Sequence, residues 1–458
     1  FPPPPTSSAP GGAPGAPWSP QPAPSGQSPA PGTAAPAGRL WLSRALLVAL
    51  AVLLLVGVGT AVALLGQDDE ELADQQAAPS PTDRPAADEE PEASETEPPA
   101  ETTTTTEPGA AAPAGQAELE ATVAELSQFV ADARGAPFPG PVEVELLDGD
   151  AFNQRLLADF EEERQDIELV GRLFVAMGLL EPEQDLFEIF RDFLGAGVLG
   201  FYDPETGELV VRGAEVTAYT RSTIVHELTH AYDDQRFELH RPSVQDAADE
   251  SGLGFSALVE GNAVRVQQQW EATLSEEERN ELLSEQIEGA AGIDLGDLPF
   301  VLLRQIEFPY SAGPPLVDAL VETGGEGRVD EAFGAPPLTS EQVIDPDRYL
   351  AGEGPVPVPA PPADGDVLDQ GTYGQLTLGV TLGDVVDRET ARQAADGWGG
   401  DAYVAWADGE RTCVRTTFTM DTPQDLVELV EAWQAWSAER PGSTVAPGED
   451  DVTVTACA

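Results

Sequence analysis

Lysine is absent from the 458 residues, histidine occurs three times, and cysteine and methionine twice each. All 22 cationic side chains are therefore arginines, set against 82 carboxylates for a formal charge of −60. That balance makes nucleic acid and anionic lipid surfaces poor partners, because repulsion opposes both. The acidity itself reads as an arginine-for-lysine coding bias with a solvating surface, or as adaptation to high salt, and neither names a function. With no C-x-x-C pair, Cys413 and Cys457 are poor metal ligands. In an oxidising compartment the two are expected to form one structural disulfide.

The N-terminal quarter lacks the means to build a packed core. Residues 1 to 38 are dominated by Pro, Gly, Ala and Ser, with Pro2 to Pro5 in one run, and predict a disordered cytoplasmic tail. Ala45 through Gly66 carries no charge and is almost wholly apolar, close to the ~20 residues that cross a bilayer core as a helix. A single transmembrane helix is predicted within 39–66. Arg39 and Arg44 stand at its N-terminal end, and Asp68, Asp69, Glu70 and Glu71 follow it. The basic flank is expected to stay cytoplasmic and the C-terminal part to face outward. A cleaved signal peptide, the competing reading, would have an apolar region of only ~7–15 residues and a small-residue cleavage site. Residues 67 to 116 add carboxylates and the run Thr102 to Thr106, a composition that repels itself and reads as a spacer.

Beyond residue 117 the periodicities change. Ala117 to Arg134 has helical spacing, Val142 to Leu147 alternates like a strand, and three helical stretches follow up to about Leu194. Val198 to Tyr202 and Glu208 to Val211 predict a hairpin about the turn-forming Asp203-Pro204-Glu205-Thr206-Gly207. Helices are predicted over Thr220 to Phe237, with Thr220 as its cap, and over Gly254 to Trp270, Ser275 to Glu288 and Leu316 to Thr323. The first of these carries a buried stripe of Ile224, Val225, Leu228, Ala231 and Tyr232. The Pro-rich stretch 351–364 divides a main domain, 117–350, from a small α+β module, 365–458. In that module Ala402 to Trp406 and Arg411 to Met420 flank an Asp408-Gly409 turn, before a helix from Thr422 to about Ala438 and a last strand, Val452 to Cys457. Cys413 and Cys457 can pair if their strands are neighbours.

Two of the three histidines fall in His226-Glu227-Leu228-Thr229-His230. Histidines four apart on a helix stack one turn above each other, so both imidazoles reach one ion. Glu227, beside the first ligand, can act as general base on a metal-bound water. A surface helix with two ordinary histidines is the bland alternative, weakened by the scarcity of histidine and by the apolar stripe beside them. A catalytic site needs a third protein ligand. The metzincin pattern is excluded, because Asp233 and Arg236 stand where it requires Gly and His. Glu260 is the candidate, on the next predicted helix among apolar neighbours, with Gly261 expected to permit a close approach to the metal helix. Asp233 or Asp234 is a candidate acceptor for a ligating imidazole. Tyr310 is either a donor to a developing oxyanion or an aromatic beside a proline turn. His240, beyond the expected helix end, reads as a structural or cleft residue and not as a ligand.

With these residues in view, the chain resembles the gluzincin metallopeptidases, and more closely a group of poorly characterised bacterial and archaeal surface proteins with a metallopeptidase-like domain. The resemblance rests on His226 to Ala231, Asp234-Gln235, Val259 to Ala263, Phe308-Pro309-Tyr310 with Gly313, and Gly397-Trp398-Gly399-Gly400-Asp401. It spans about residues 197 to 406, leaving out the tail, anchor and spacer. It implies one catalytic Zn²⁺, peptide hydrolysis, and a mostly helical zincin-like core with the hairpin lining the cleft. Asn262 departs from the acidic residue such proteins carry, and Asp345 from a histidine.

The combined expectation is an α+β protein: a zincin-like, mostly helical domain with a substrate-side hairpin, then the small α+β module, held to the membrane by one helix. Its function would be hydrolysis of a peptide or protein substrate outside the cell, with His226, His230 and Glu260 as zinc ligands and Glu227 as base. The alternative is a non-catalytic, zinc-stabilised surface protein that binds partners through the same fold and the C-terminal module.

Overall fold

The computed structural model describes residues 116–158, 160–213, 216–290 and 298–458. The predicted tail, transmembrane helix and nearly all of the spacer lie outside these residues. Among the described residues no helix is long and apolar enough to cross a membrane. The architecture is mixed α+β with two sheets.

The chain enters through α1 (Gln116–Ala133), β1 (Glu143–Leu147), α2 (Gly149–Leu156), a 3₁₀ turn (Phe160–Glu163), α3 (Arg164–Ala176) and α4 (Leu186–Gly197). The expected hairpin follows as β2 (Gly200–Asp203) and β3 (Glu208–Arg212). β3 is central in a three-stranded sheet, antiparallel to β2 and parallel to β1. Alternation sends its side chains to opposite faces. Leu209 and Val211 pack with α1 and with Ile224, Val225 and Leu228 of the helix that follows, whereas Val210 joins the large core beyond. Both faces are therefore covered, which explains the continuous apolar run Leu209-Val210-Val211.

Four helices follow: α5 (Ala218–Phe237), α6 (Ser251–Glu271) and α8 (Phe300–Gly324), each with a long buried face, and the largely exposed α7 (Glu276–Ala290). The α5 cap is Thr217, not Thr220, because the Thr217 hydroxyl accepts the Thr220 N–H at 3.2 Å. Helix α8 overturns a larger expectation. The sequence predicts a helix only over Leu316 to Thr323, yet the helix runs for 25 residues with Pro309, Pro314 and Pro315 inside it. Each proline removes one backbone donor. Burial of Val301, Leu302, Ile306, Phe308, Leu316, Val317 and Leu320 offsets that loss. Tyr310 is accordingly a helical residue and not part of a proline turn.

Three short helices, α9 (Glu326–Gly334), α10 (Ser340–Ile344) and α11 (Pro346–Ala351), lead to the Pro-rich stretch. The C-terminal part runs β4 (Asp366–Gly371), α12 (Gly374–Gly383), α13 (Arg388–Ala395), β5 (Trp398–Asp408), β6 (Arg411–Met420), α14 (Pro423–Ala438), β7 (Thr444–Pro447) and β8 (Val452–Cys457). Its five strands form an antiparallel sheet in the order β4-β5-β6-β8-β7. β5 starts at Trp398, four residues earlier than expected, because β6 pairs the glycine-rich stretch across a bulge. Cys413 and Cys457 are cross-strand neighbours on β6 and β8 and form the disulfide.

One apolar cluster runs from Phe174 and Phe190 through Leu302 and Ile306 to Phe418, Trp433 and Trp436, joining the C-terminal sheet to α8 and the N-terminal helices. The Pro-rich stretch covers the other face of that sheet. Ala363 packs beside Val404, Trp406 and the disulfide, and the Val356 N–H donates to Gly399 O at 2.7 Å.

Candidate metal centre and cleft

Helix α5 is buried on nearly every side along its middle, polar face included: His226 and Glu227 are 0 % exposed and His230 is 5 % exposed. Burying such groups demands partners. They come from α6, whose Glu260, also 5 % exposed, points at the two histidines. Its Oε2 lies 3.1 Å from His226 Nε2 and 3.3 Å from His230 Nε2, and the two Nε2 atoms are 2.9 Å apart. A tetrahedral ion with bonds of about 2.0–2.1 Å spaces its ligand atoms roughly 3.3 Å apart. The triangle is metal-sized. The same two histidines with Glu227 form a second buried grouping that could hold a metal ion, its ligand atoms within the looser limit of 4.8 Å of one another.

Electrostatics agree with the geometry. For Glu260 and His230, burial alone would push the carboxyl up and the imidazole down. Their mutual attraction wins, holding Glu260 below the usual carboxylate range and His230 above the usual imidazole range. Burial, and then the neighbouring His230 charge, push His226 down. Three ligand atoms thus converge on a buried point where one proton supplies the compensating charge, a place a dication would fill.

Glu227 is held apart from this triangle by the hairpin. Its Oε2 accepts the Tyr202 N–H at 2.8 Å, and its Oε1, also buried, has no hydrogen-bond partner among the described residues. Burial pushes this carboxyl up to about 8. The Tyr202 hydroxyl donates to Asp234 Oδ2 at 2.8 Å, so one hairpin residue ties down both Glu227 and the end of α5.

Tyr310 is half-buried, its ring nearly parallel to that of His226 with centroids 6.4 Å apart. Burial, the Glu260 and Glu227 charges and a hydrogen bond to Glu260 hold its phenol protonated, well above its ordinary range. Gly261 makes this placement possible, though not by the route expected from the sequence. Its backbone meets Gly313 of α8, not the metal helix: a Cβ on Gly261 would lie 2.3 Å from the Gly313 carbonyl carbon. Tyr310 sits one turn before that crossing and Glu260 one residue before it.

The structure separates the two aspartates. Asp233 is buried and accepts from Asn262 Nδ2 at 2.6 Å and Arg134 at 3.3 Å, while Asp234 accepts from Tyr202 and from the Leu239 N–H at 2.8 Å. No hydrogen bond from either to the imidazole of His226 or His230 is found among the described residues. Asp233 raises His230 through its charge. Asn262 therefore bridges α5 and α6 where a carboxylate would repel Asp233. Gln267, seven residues past Glu260 on α6, approaches His226 and was missed by sequence reasoning, although helical spacing alone places it on the same face. His240 lies outside the triangle, its Nδ1 3.1 Å from Glu205 on the hairpin turn.

A small cleft of about 60 Å³ opens from His230 and Glu260. Gly252, Phe255, Ser256 and Val259, at helical spacing on α6, form one wall, and Tyr202, Pro204 and Leu239 face them.

Residues 363–457 match the model of a domain of unknown function (DUF8575). No curated protein matches the chain. Among solved structures, the chain is similar to a "putative hydrolase with a novel fold" from Chloroflexus aurantiacus, at 16% identity over 51% of this chain and 89% of that one, with a TM-score of 0.35. A likeness of that degree bears on neither fold nor function.

Proposed function

We propose that the protein is a zinc-dependent peptidase of the gluzincin type, anchored by residues 45–66 and acting on peptides or proteins outside the cell. The carrying observation is the triangle of His226 Nε2, His230 Nε2 and Glu260 Oε2, with edges of 2.9 to 3.3 Å, buried beside Glu227 at the end of a cleft. Two imidazoles and one carboxylate form a donor set suited to catalytic zinc, leaving a position for water or substrate. The disulfide accords with an oxidising compartment outside the cytoplasm.

When bound, zinc supplies Lewis acidity, lowering the pKa of water and polarising a peptide carbonyl. Glu227, with one carboxylate oxygen fixed by Tyr202 and the other without a hydrogen bond among the described residues, takes a proton at Oε1 and returns it to the leaving amine. Tyr310 keeps its proton and donates a hydrogen bond as negative charge grows on the carbonyl oxygen. The apolar wall of Phe255 and Val259 seats the substrate side chain beside the bond to be cut and excludes water from it.

The test is metal analysis and turnover on the same preparations. One zinc per chain, lost in both His230→Ala and Glu260→Ala, together with a Glu227→Gln variant that keeps zinc and loses hydrolysis, is the expected result. A chain without zinc overturns the metal reading. Zinc with no hydrolysis across a broad peptide library leaves the non-catalytic binding protein in its place.

A further inference from the structure

The motif Gly397-Trp398-Gly399-Gly400-Asp401 lies away from the metal triangle, and the chemistry above makes no use of it. Asp401, 6 % exposed, is the focus of three donors: the Tyr373 N–H at 2.6 Å, the Gly374 N–H at 2.8 Å and Trp398 Nε1 at 2.8 Å. It thereby holds the start of α12 against β5.

The other side of Gly374 faces Glu250, which is 0 % exposed and stands immediately before α6. Gly374 has φ +81°, and a Cβ there would lie 1.9 Å from Glu250 Oε1, so the backbone rests directly on the carboxyl group. Glu250 Oε2 accepts the Ser340 N–H at 3.1 Å, and Ser340 Oγ accepts the Leu376 N–H at 3.1 Å. The Thr372 N–H donates to Ala248 O at 3.0 Å across the same junction. One buried carboxyl therefore joins the start of α6, the start of α10 and the start of α12.

We propose that Glu250 is a positioning residue for the metal site: Asp401 and Gly374 clamp the C-terminal unit onto its carboxyl group, and this junction sets the position of Glu260 along α6. A helix transmits displacement along its axis, and ten residues at 1.5 Å separate Glu250 from Glu260 by about 15 Å. The C-terminal unit also packs on α8, which carries Tyr310: α12 touches α8, and Leu376 and Leu378 share one apolar cluster with Leu302 and Ile306. The stretch that matches a domain of unknown function thus supports both helices that face the α5 histidines.

The charge state of Glu250 makes the clamp responsive to pH. Burial, first, then the Asp401 and Glu341 charges push its carboxyl up to about 8, against the opposing hydrogen bonds from Ser340. The charged groups that act on it are Glu341 from α10 and Asp401 from β5, with no cation among them. A folded pKa raised above the ordinary 4.5 contributes stability that is fully present below 4.5 and lost as pH rises to about 8. Ionisation leaves a buried, unpaired charge that the junction relieves by opening.

The reading of Glu260 as a zinc ligand underlies this proposal, and the test separates the two. Hydrogen exchange of residues 251–271, corrected for intrinsic rates, and zinc affinity by chelator competition are measured on the full chain at pH 6 and pH 9. Glu250→Gln and Glu250→Ala are measured alongside. The expected result is that the deficit in protection of wild type against Glu250→Gln grows roughly tenfold or more between pH 6 and pH 9, with wild type binding zinc about 3–10-fold more weakly than Glu250→Gln at pH 9. Glu250→Ala, which leaves a void, loses protection at both pH values. Wild type and Glu250→Gln indistinguishable at pH 9 would overturn the clamp. Protection following the expected pattern with no zinc bound at either pH would overturn the metal reading and leave the clamp standing.

Discussion

Gly261 and Gly313 meet backbone to backbone where α6 crosses α8: a Cβ on Gly313 would lie 2.2 Å from Ala257 O, and one on Gly261 only 2.3 Å from Gly313 C. Neither distance is tolerated by a real side chain. Gly313→Ala is therefore expected to push the helices apart and cost about 1–3 kcal/mol, the usual range for overpacking. Because Tyr310 and Glu260 flank the crossing, zinc affinity should fall with stability. Thermal unfolding and zinc titration of one preparation check both, and an unchanged melting temperature would contradict the crossing.

Tyr310→Phe removes the hydroxyl and keeps the ring beside His226. Zinc content should be unchanged while kcat falls about 10²–10³-fold, as for loss of an oxyanion donor. A fall in zinc content instead would make Tyr310 a structural partner of Glu260.

Arg134, just past α1, pairs with Asp233 on α5 and with Glu326 and Asp330 on α9, its own side chain fully buried. Arg134→Met leaves Asp233 buried with only Asn262 for company. Removing one partner of such a pair costs about 3–5 kcal/mol, so denaturant unfolding should show a clear loss. A neutral result would mean that water reaches Asp233.

The cleft predicts selectivity. An apolar side chain beside the scissile bond should be preferred, and Val259→Asp should raise KM for such substrates while zinc binding stays intact. Cleavage profiling with a peptide library reads the first, and equal cleavage of acidic and apolar peptides would refute it.

Stability should decline as pH rises toward neutrality in metal-free protein. Burial pushes Asp401 up to about 6 and Glu341 up to about 7. Both folded values exceed the ordinary carboxylate values. Their contribution is therefore present near pH 4 and lost as pH rises through 6 and 7. A fall in melting temperature of roughly 5 °C between pH 5 and pH 8 is expected, and a rise over that interval would show that other groups dominate.

How much of this was legible beforehand depends on the range of the interaction. Local chemistry carried far. The hairpin was readable from β-formers around Asp203 to Gly207, and α5 from its apolar stripe. His226, Glu227 and His230 were readable because a spacing of four on one helix already places two imidazoles together. Cysteine positions implied a bond that required only neighbouring strands, which β6 and β8 supply.

What the residues could not state locally was decided by packing. Three prolines argue against α8, and only its burial among α6 and the C-terminal sheet lets the helix run through them. Gly261 announced a close approach but not the right partner, α8 in place of the expected α5, because the absence of a side chain is visible in sequence whereas the backbone that fills the space is not. Asp233 and Asp234 are adjacent and chemically identical, and one turn of α5 sends the first to Asn262 and Arg134 and the second to Tyr202. By itself, then, the sequence determined which groups can carry the chemistry, since spacing along one element is a local property. Tertiary structure alone decided which carboxylates those groups meet, since Glu260, Glu250 and Asp401 reach their partners only through helices and strands brought together by burial of apolar surface.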